Sequence, residues 1–287
     1  MSISQVDLRQ TRLPIQPQII SALMQLTDDS EVGFRDLEKI IKADENISTL
    51  ILKAANSPLY SRGKEIRSIQ IAISLLGFRV IRTLATVASS QGMFQSGNYA
   101  RFRKYVSEHA VITGVIARSI AVKLKLKNLE EDAFVGGLLH DLGKVIMNSL
   151  DRSHYIEVIH LVERGVPFSQ AEKQIFGFSH RDIGEKAAMT WNLPQIYRWI
   201  LSTHGLDALT PPEGMDESSR ALVQIVACAN YLARLYGYGA PLSGIEHEIS
   251  KFFDALGMDS DTRSFYLSEF RENITKDEFY NFFITIL

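Results

Sequence analysis

The sequence is poor in several of the features that define whole classes of protein. Its single cysteine, Cys228, rules out an internal disulfide framework and is typical of a protein from a reducing compartment. The 31 lysine and arginine residues are balanced by 33 acidic residues, without a long basic run, so nucleic acid is not an indicated partner. No stretch approaches the roughly 18 uncharged apolar residues of a membrane-spanning helix.

The amino terminus also lacks the basic and apolar segments of a secretion signal, so we expect a cytoplasmic protein. With 287 residues, of which 46% are hydrophobic, the chain is long enough to bury a large core and to form two subdomains. Within such a core Cys228 is expected to be a small buried side chain and not a nucleophile.

Prolines are few, eight in all, and most stand where a helical pattern ends. Apolar residues recur at helical spacing along nearly the whole chain, and the alternation typical of strands is almost absent. The predicted fold is therefore all-α, with Ser68 starting and Gly77 ending one of its helices. The spacing predicts helices over 17–26, 34–42, 47–55, 69–76, 78–89, 102–126, 130–149, 153–164, 168–174, 180–190, 194–204, 217–236, 244–256, 260–272 and 276–286.

A break in periodicity between Gln91 and Tyr99 predicts the division of the chain. Glycine, serine and asparagine interrupt the helical pattern there, as they do in connecting segments. We expect an N-terminal helical lobe over 1–95, packed against a second helical domain over 96–287.

A metal-type motif, Leu-Leu-His-Asp-Leu-Gly-Lys, occupies positions 138–144 within an apolar helical pattern. Imidazole and carboxylate together suit Fe, Mn or Zn better than Mg or Ca. Lys144 follows His140 by four residues and Asp141 by three, so on a helix all three border one site. Lys144 would there meet a substrate phosphate, and it is the candidate catalytic residue if the site is active.

Two further polar residues, His109 and Asn230, share their helix faces with isoleucine, valine and alanine side chains and so point inward. An inward-facing polar group must find a partner, because leaving it unsatisfied costs about 1–3 kcal/mol. Several such groups converging on one cavity indicate a metal or ligand pocket.

Four motifs follow one another in the first lobe: Leu13-Pro14, Asp44 before a helix, Ala-Asn-Ser-Pro-Leu-Tyr at 55–60, and Ala-Ile-Ser-Leu-Leu-Gly at 72–77. In this order and spacing they resemble the N-terminal part of an HDOD domain. That domain is a bacterial signalling module related to HD-type metal-dependent phosphohydrolases. Residues 100–235 resemble its HD portion. Glu45 departs from the family, which often has proline after the aspartate.

The resemblance implies a set of metal ligands in the second domain. The positions that match ligands of HD enzymes are His109, His140, Asp141, His180 and His204. The final aspartate of HD enzymes follows an alanine on a late helix, and here Ala229 is followed by Asn230. Since Asn230 offers a carbonyl oxygen without charge, we expect weaker metal binding and a less acidic metal-bound water.

Simpler interpretations stand beside this one. A single inward histidine is usually a hydrogen-bonded core residue, and His140–Asp141 would then survive only as an element of the fold. His154, His160 and His247 match no ligand position and are predicted to be surface or structural residues.

Two functional hypotheses follow. The first is a non-catalytic regulatory module that binds signalling proteins, or a nucleotide or other phosphorylated ligand. The second is a metal-dependent phosphohydrolase or nucleotide phosphodiesterase that uses the His–Asp cluster. The chain reads Gly-Leu-Asp-Ala-Leu at 205–209, where cyclic-dinucleotide phosphodiesterases of the HD class have a Gly-Tyr-Pro extension. This difference and Asn230 favour the regulatory module.

Overall fold

The computed structural model describes residues 2–9, 16–26, 31–57, 60, 65–95, 100–241, 244–277 and 280–281. Regular structure within these ranges is helical, and no strand occurs among them, which confirms the all-α prediction. The motif residues Leu13-Pro14 and Pro58-Leu59 lie outside the described residues. The helices of the first lobe are α1 (Pro17–Gln25), α2 (Glu31–Ala43), α3 (Glu45–Ala55), α4 (Ile69–Leu76) and α5 (Phe78–Gln95).

Two motif residues of the first lobe hold the ends of α3. The Asp44 carboxylate accepts hydrogen bonds from two backbone N–H groups of the first turn, and so satisfies donors that a helix start leaves free. At the other end, the Asn56 amide donates to the Ile66 carbonyl at 2.7 Å and accepts from the Ile66 N–H at 2.8 Å. Asn56 therefore ties the end of α3 to the segment that leads into α4.

Helix α4 begins and ends where the sequence predicts. Ser68 occupies the N-cap position, although its side chain makes no capping hydrogen bond, and Gly77 ends the helix with φ +81°. Helix α5 is longer than predicted, since it continues through Gln95. One glycine inside a helix, here Gly92, costs only about 1 kcal/mol relative to alanine, and the rest of the helix tolerates it.

The second part of the chain is also helical. A short α6 (Ala100–Phe102) leads into a π-helical segment, Arg103–Glu108. The following helices are α7 (His109–Lys123), α8 (Glu130–Leu139), α9 (Leu142–Leu150), α10 (Arg152–Glu163), α11 (Phe168–Phe176), α12 (His180–Thr190), α13 (Gln195–Ser202), α14 (Glu217–Leu235), α15 (Ile245–Ala255), α16 (Ser260–Ser264) and α17 (Phe270–Asn273).

The helix predicted over 130–149 is instead two helices, because the chain turns at His140–Asp141. Asp141 has φ −98° and ψ 16°, outside the helical range, and occupies the N-cap position of α9. The turn lays α9 against α12 so closely that a β-carbon on Gly143 would overlap the carbonyl oxygen of His180. The His–Asp pair therefore lies at a corner between two helices.

Other predicted boundaries also shift. The range 102–126 contains the π-helical segment, of a kind often found at functional sites, directly before His109. The helix predicted over 194–204 ends at Ser202, so His204 lies in the following loop. The range 260–272 contains a second π-helical segment, Phe265–Glu269, between α16 and α17. Most of 276–286 lies outside the described residues.

The two lobes pack together as expected, with α5 contacting α1 and α3 of its own lobe and α8 of the second. Arg82 of α5 donates to Asp132 of α8 at 2.8 Å, and the Tyr197 hydroxyl donates to the same carboxylate oxygen at 3.0 Å. The division of the chain after residue 95 stays a prediction. Within the described residues, a membrane-spanning length of apolar helix arises only if Ile69–Leu76 and Phe78–Ser90 are taken together across a 117° bend.

Candidate metal centre

A close helix crossing brings His109 and His140 together. A β-carbon on Gly137 of α8 would lie 2.6 Å from the Cα of Gly114 on α7, so only glycine permits this approach. His109 begins α7 and His140 directly follows α8, and their rings lie 5.1 Å apart.

Asp141 lies at the centre of four histidines. Its Oδ2 is 3.2 Å from His140 Nε2 and 3.7 Å from His109 Nε2. Its Oδ1 is 3.6 Å from the Nε2 atoms of both His180 and His204. The structure thus forms two triads of metal-type ligands that share one carboxylate.

Each of the four rings has its Nδ1 against a group that only accepts hydrogen bonds. His109 Nδ1 donates to the Tyr238 carbonyl at 3.1 Å and His140 Nδ1 donates to the Gly137 carbonyl at 2.7 Å. His204 Nδ1 donates to the Ile200 carbonyl at 2.9 Å and His180 Nδ1 donates to the Glu172 carboxylate at 2.5 Å. A hydrogen on Nδ1 leaves Nε2 of a neutral ring as the acceptor. A metal that binds through Nε2 requires this tautomer.

Burial favours the neutral state of two of these rings, His109 and His204. It places the pKa of His109 well below the ordinary value, with the nearby His140 acting in the same direction. Burial also places the pKa of His204 well below the ordinary value, and Arg181 adds to that effect. Their Nε2 lone pairs are therefore available near neutral pH.

Asp141 is ionised at the same time. Burial alone would raise its pKa, but His140 and Lys144 hold the pKa well below the ordinary value. Among the described residues, neither Asp141 Oδ1 nor His140 Nε2 has a hydrogen-bond partner, although both are buried. Buried polar atoms without partners, beside the Nε2 atoms of neighbouring histidines, fit a bound cation.

Asn230 completes the cluster from α14. Its Nδ2 donates to the His204 carbonyl at 2.8 Å, which turns Oδ1 toward His109 Nε2 at 3.0 Å. Because His109 donates through Nδ1, its Nε2 is an acceptor and faces a second acceptor, Asn230 Oδ1, at 3.0 Å. The structure therefore brings together all six positions that the family resemblance implies: His109, His140, Asp141, His180, His204 and Asn230.

Lys144 borders the cluster but does not point out of it. Its Nζ donates to Asp141 Oδ2 at 2.6 Å and lies 3.9 Å from the centre of the Phe168 ring. The side chain is 1% exposed, and burial lowers its pKa although Asp141 opposes that effect. Contact between Lys144 and a substrate phosphate stays a prediction.

Sequence reasoning missed Glu172 and Arg234. Glu172 is fully buried on α11, and its Oε2 accepts from both the backbone N–H and the ring of His180. A glutamate within an amphipathic helix gives no signal of this role. Arg234 follows Asn230 by one helical turn, a spacing that places both on one helix face, and its guanidinium acts on the Asp141 carboxylate.

The remaining histidines and the cysteine lie as predicted. His154, His160 and His247 are exposed, and His154 pairs with Asp151. Cys228 is fully buried, and burial raises the pKa of its thiol.

A family model for the HDOD domain matches residues 13–205. The chain belongs to the HDOD family. A protein of unknown role from Treponema pallidum is 27% identical over 242 residues, which cover 83% of this chain and 46% of that protein. The chain thus spans about half the length of that curated relative.

Solved structures agree with the assignment of this HDOD chain. An HDOD domain protein of unknown function from Geobacter sulfurreducens superposes with a TM-score of 0.76 at 25% identity, covering 99% of this chain and 95% of that one. A candidate signal transduction protein from Marinobacter aquaeolei superposes with a TM-score of 0.68 at 19% identity, covering 96% of this chain and 59% of that one. The second likeness concerns the fold alone.

Proposed function

We propose that this HDOD protein is a regulatory module whose buried His–Asp cluster binds a divalent metal without hydrolysing a substrate. The observation that carries the proposal is four histidine Nε2 atoms converging on one buried carboxylate. The imidazole-rich ligand set favours Fe, Mn or Zn. Metal would link the helices that supply these ligands, and its binding energy would stabilise the folded module.

Burial of the cluster argues against catalysis. His109, His140, Asp141, Lys144, His180, His204 and Asn230 are each between 1 and 4% exposed. When bound in a hydrolase, such a metal polarises a phosphoryl oxygen and makes its bound water more acidic. A phosphorylated substrate would have to displace side chains to approach this cluster. The Lys144 ammonium, which would have to contact the substrate phosphate, donates to Asp141 instead.

The second candidate is a metal-dependent phosphohydrolase or nucleotide phosphodiesterase. The two triads that share Asp141 favour it, because paired metal ions can stabilise both the attacking and the leaving oxygen. Asn230 weighs against it, since a neutral amide stands where the resemblance implies a charged ligand. Membership of the HDOD family supports signalling proteins as the proposed partners, with a nucleotide or another phosphorylated compound as the alternative ligand.

Metal content tests the proposal. Untagged protein prepared without chelators is analysed for Fe, Mn and Zn, and its melting temperature is measured with each metal and with EDTA. Asp141→Asn removes the carboxylate that both triads share. Asp216→Asn is the matched control, because Asp216 is an exposed N-cap and asparagine caps helices about as well. A metal at 100 times its Kd would stabilise the fold by about 2.7 kcal/mol.

We expect metal and its stabilisation in the wild type and in Asp216→Asn, and neither in Asp141→Asn. A folded wild type that takes up none of the three metals would contradict the proposal. Hydrolysis of bis(p-nitrophenyl) phosphate or of cyclic dinucleotides, if dependent on both metal and Asp141, would support the phosphohydrolase instead.

A further inference from the structure

The two oxygens of the central carboxylate have unequal surroundings. Oδ2 of Asp141 accepts from the Lys144 ammonium at 2.6 Å, on the side of His109 and His140. Oδ1 lies on the side of His180 and His204 and has no hydrogen-bond partner among the described residues. A cation at Oδ2 would compete with a positive charge that is already there, whereas a cation at Oδ1 would not.

The donor atoms on the Oδ1 side already have the spacing of ligands to one ion. His180 Nε2 and His204 Nε2 lie 3.2 Å apart, and each lies 3.6 Å from Asp141 Oδ1. A tetrahedral ion with bonds of about 2.0–2.1 Å separates its donors by about 3.3–3.4 Å. This triangle would bind one ion with little movement.

The Oδ1 side also has the stronger support from the surrounding side chains. Glu172 Oε2 accepts from the His180 ring at 2.5 Å and from the His180 backbone N–H at 2.8 Å, while Oε1 accepts from the Tyr155 hydroxyl at 3.1 Å. A carboxylate behind a ligating histidine fixes the ring and raises its basicity. His109 and His140 donate through Nδ1 to backbone carbonyls instead.

Charge balance points the same way. Two carboxylates, Asp141 and Glu172, and one ammonium, Lys144, are fully buried in the cluster, and the half-buried Arg234 guanidinium also acts on Asp141. These four charges already balance, so each added ion makes the cluster more positive, and one ion costs less than two. A second divalent ion would leave the cluster strongly positive, because Asn230 contributes no charge.

We propose that the chain binds one divalent transition-metal ion, held by His180, His204 and Asp141 Oδ1, with Lys144 taking the place of a second ion. Glu172 is a positioning residue that acts through His180. This inference rests on the metal binding proposed above, and it specifies which half of the cluster binds.

Cobalt binding tests which half is used, since Co²⁺ reports both stoichiometry and ligand geometry through its visible absorption. His204→Gln removes a ligand of the proposed site. His109→Gln makes the same change in the other half of the cluster, and both rings, His109 and His204, are buried and donate through Nδ1 to a backbone carbonyl. We expect one equivalent in the wild type, at least about 100-fold weaker binding in His204→Gln, and a change below about threefold in His109→Gln.

Two equivalents in the wild type, or one equivalent lost in His109→Gln but kept in His204→Gln, would overturn this inference and leave metal binding itself intact. No cobalt, iron, manganese or zinc bound by the wild type would instead overturn the proposed function. Melting temperatures in EDTA confirm that each variant folds.

Glu172→Gln tests the positioning residue. We expect Co²⁺ affinity to fall by about 10–100-fold and the absorption bands to shift. Tyr155→Phe is its control, because it removes the hydrogen bond to Oε1 and leaves Oε2 with His180. A purely structural role would lower the melting temperature of the metal-free Glu172→Gln protein without changing its affinity or spectrum, and that result would remove Glu172 from the proposal.

Discussion

The side chain of Asn230 joins the two halves of the cluster, since its Nδ2 donates to the backbone carbonyl of His204 at 2.8 Å while its Oδ1 faces His109. An aspartate at this position would keep the oxygen near His109 but would lose the donor. The carbonyl of His204 would then be left without its partner, in a buried place. The amide therefore holds the loop that carries His204 as well as reducing the charge of the cluster.

Asn230→Asp is predicted to change metal binding and stability in opposite directions. The metal-free variant should be about 1–3 kcal/mol less stable, because a buried carbonyl loses its donor and a second carboxylate approaches Asp141. Its added charge should raise metal affinity and allow a second equivalent to bind. Urea unfolding in EDTA and metal titration measure the two effects.

The control for this substitution is Asn46→Asp, which adds the same charge at an exposed position on α3. It should leave metal binding unchanged. Because the cluster is closed, we expect no metal-dependent hydrolysis of bis(p-nitrophenyl) phosphate by Asn230→Asp. Turnover in this variant alone would show that the missing charge, and not burial, keeps the site inactive.

Gly143→Ala is predicted to displace His180. A β-carbon at residue 143 would overlap the carbonyl oxygen of His180, and backbone cannot give way as a flexible side chain can. We expect a loss of about 3 kcal/mol in unfolding free energy and weaker metal binding.

Gly184→Ala is the control within α12, because its β-carbon would meet only Leu201 at 3.5 Å, an ordinary contact. It should be neutral or stabilising by up to about 1 kcal/mol. Equal effects of the two substitutions would refute the close-contact explanation.

The sequence was sufficient to predict the fold class and the residues of the cluster. Helical periodicity is a local property, and the resemblance to HDOD and HD domains implied His109, His140, Asp141, His180, His204 and Asn230 before their geometry was known. The corner at His140–Asp141 was missed because the apolar pattern continues across it, and only packing of α9 against α12 requires the turn.

The contacts of Glu172 and Lys144, the residues that surround the metal-type ligands, were not predictable in the same way. Glu172 comes eight residues before His180 and reaches its ring only because α11 folds back beside α12. The position of Lys144 beside the cluster was predicted, but the direction in which its ammonium points was not. Its contact with Asp141 Oδ2 depends on the same corner, which no local pattern contains.

Cys228 is predicted to be unreactive in the folded protein. It is fully buried in α14, and burial raises the pKa of its thiol, so little thiolate forms and reagents do not reach it. Dithionitrobenzoate should therefore titrate no thiol in the native state and one after unfolding in guanidinium. Rapid reaction of the native protein would show that α14, which also carries Asn230, opens readily.

The pH dependence of the unfolding free energy reports the protonation state of the buried His109 and His204. Burial lowers the pKa of His109 and His204 in the folded state, so below about pH 6.5 the unfolded chain binds protons that the folded chain does not. Stability is therefore complete above that pH and falls as the pH falls, by up to about 2.7 kcal/mol per unit for two sites. The lowered pKa of Asp141 adds a further loss only below about pH 4.

Urea unfolding of metal-free protein between pH 7.5 and 5.0 measures this slope. His154 acts in the opposite sense, because its hydrogen bond to Asp151 raises its pKa and favours the folded state at low pH, so comparison of variants decides the result. His109→Gln and His204→Gln should each reduce the slope by about 1.4 kcal/mol per pH unit, the value of one proton. His247→Gln, an exposed control, should leave it unchanged. A slope that survives both cluster substitutions would come from other groups and would contradict the lowered pKa of His109 and His204 in the folded protein.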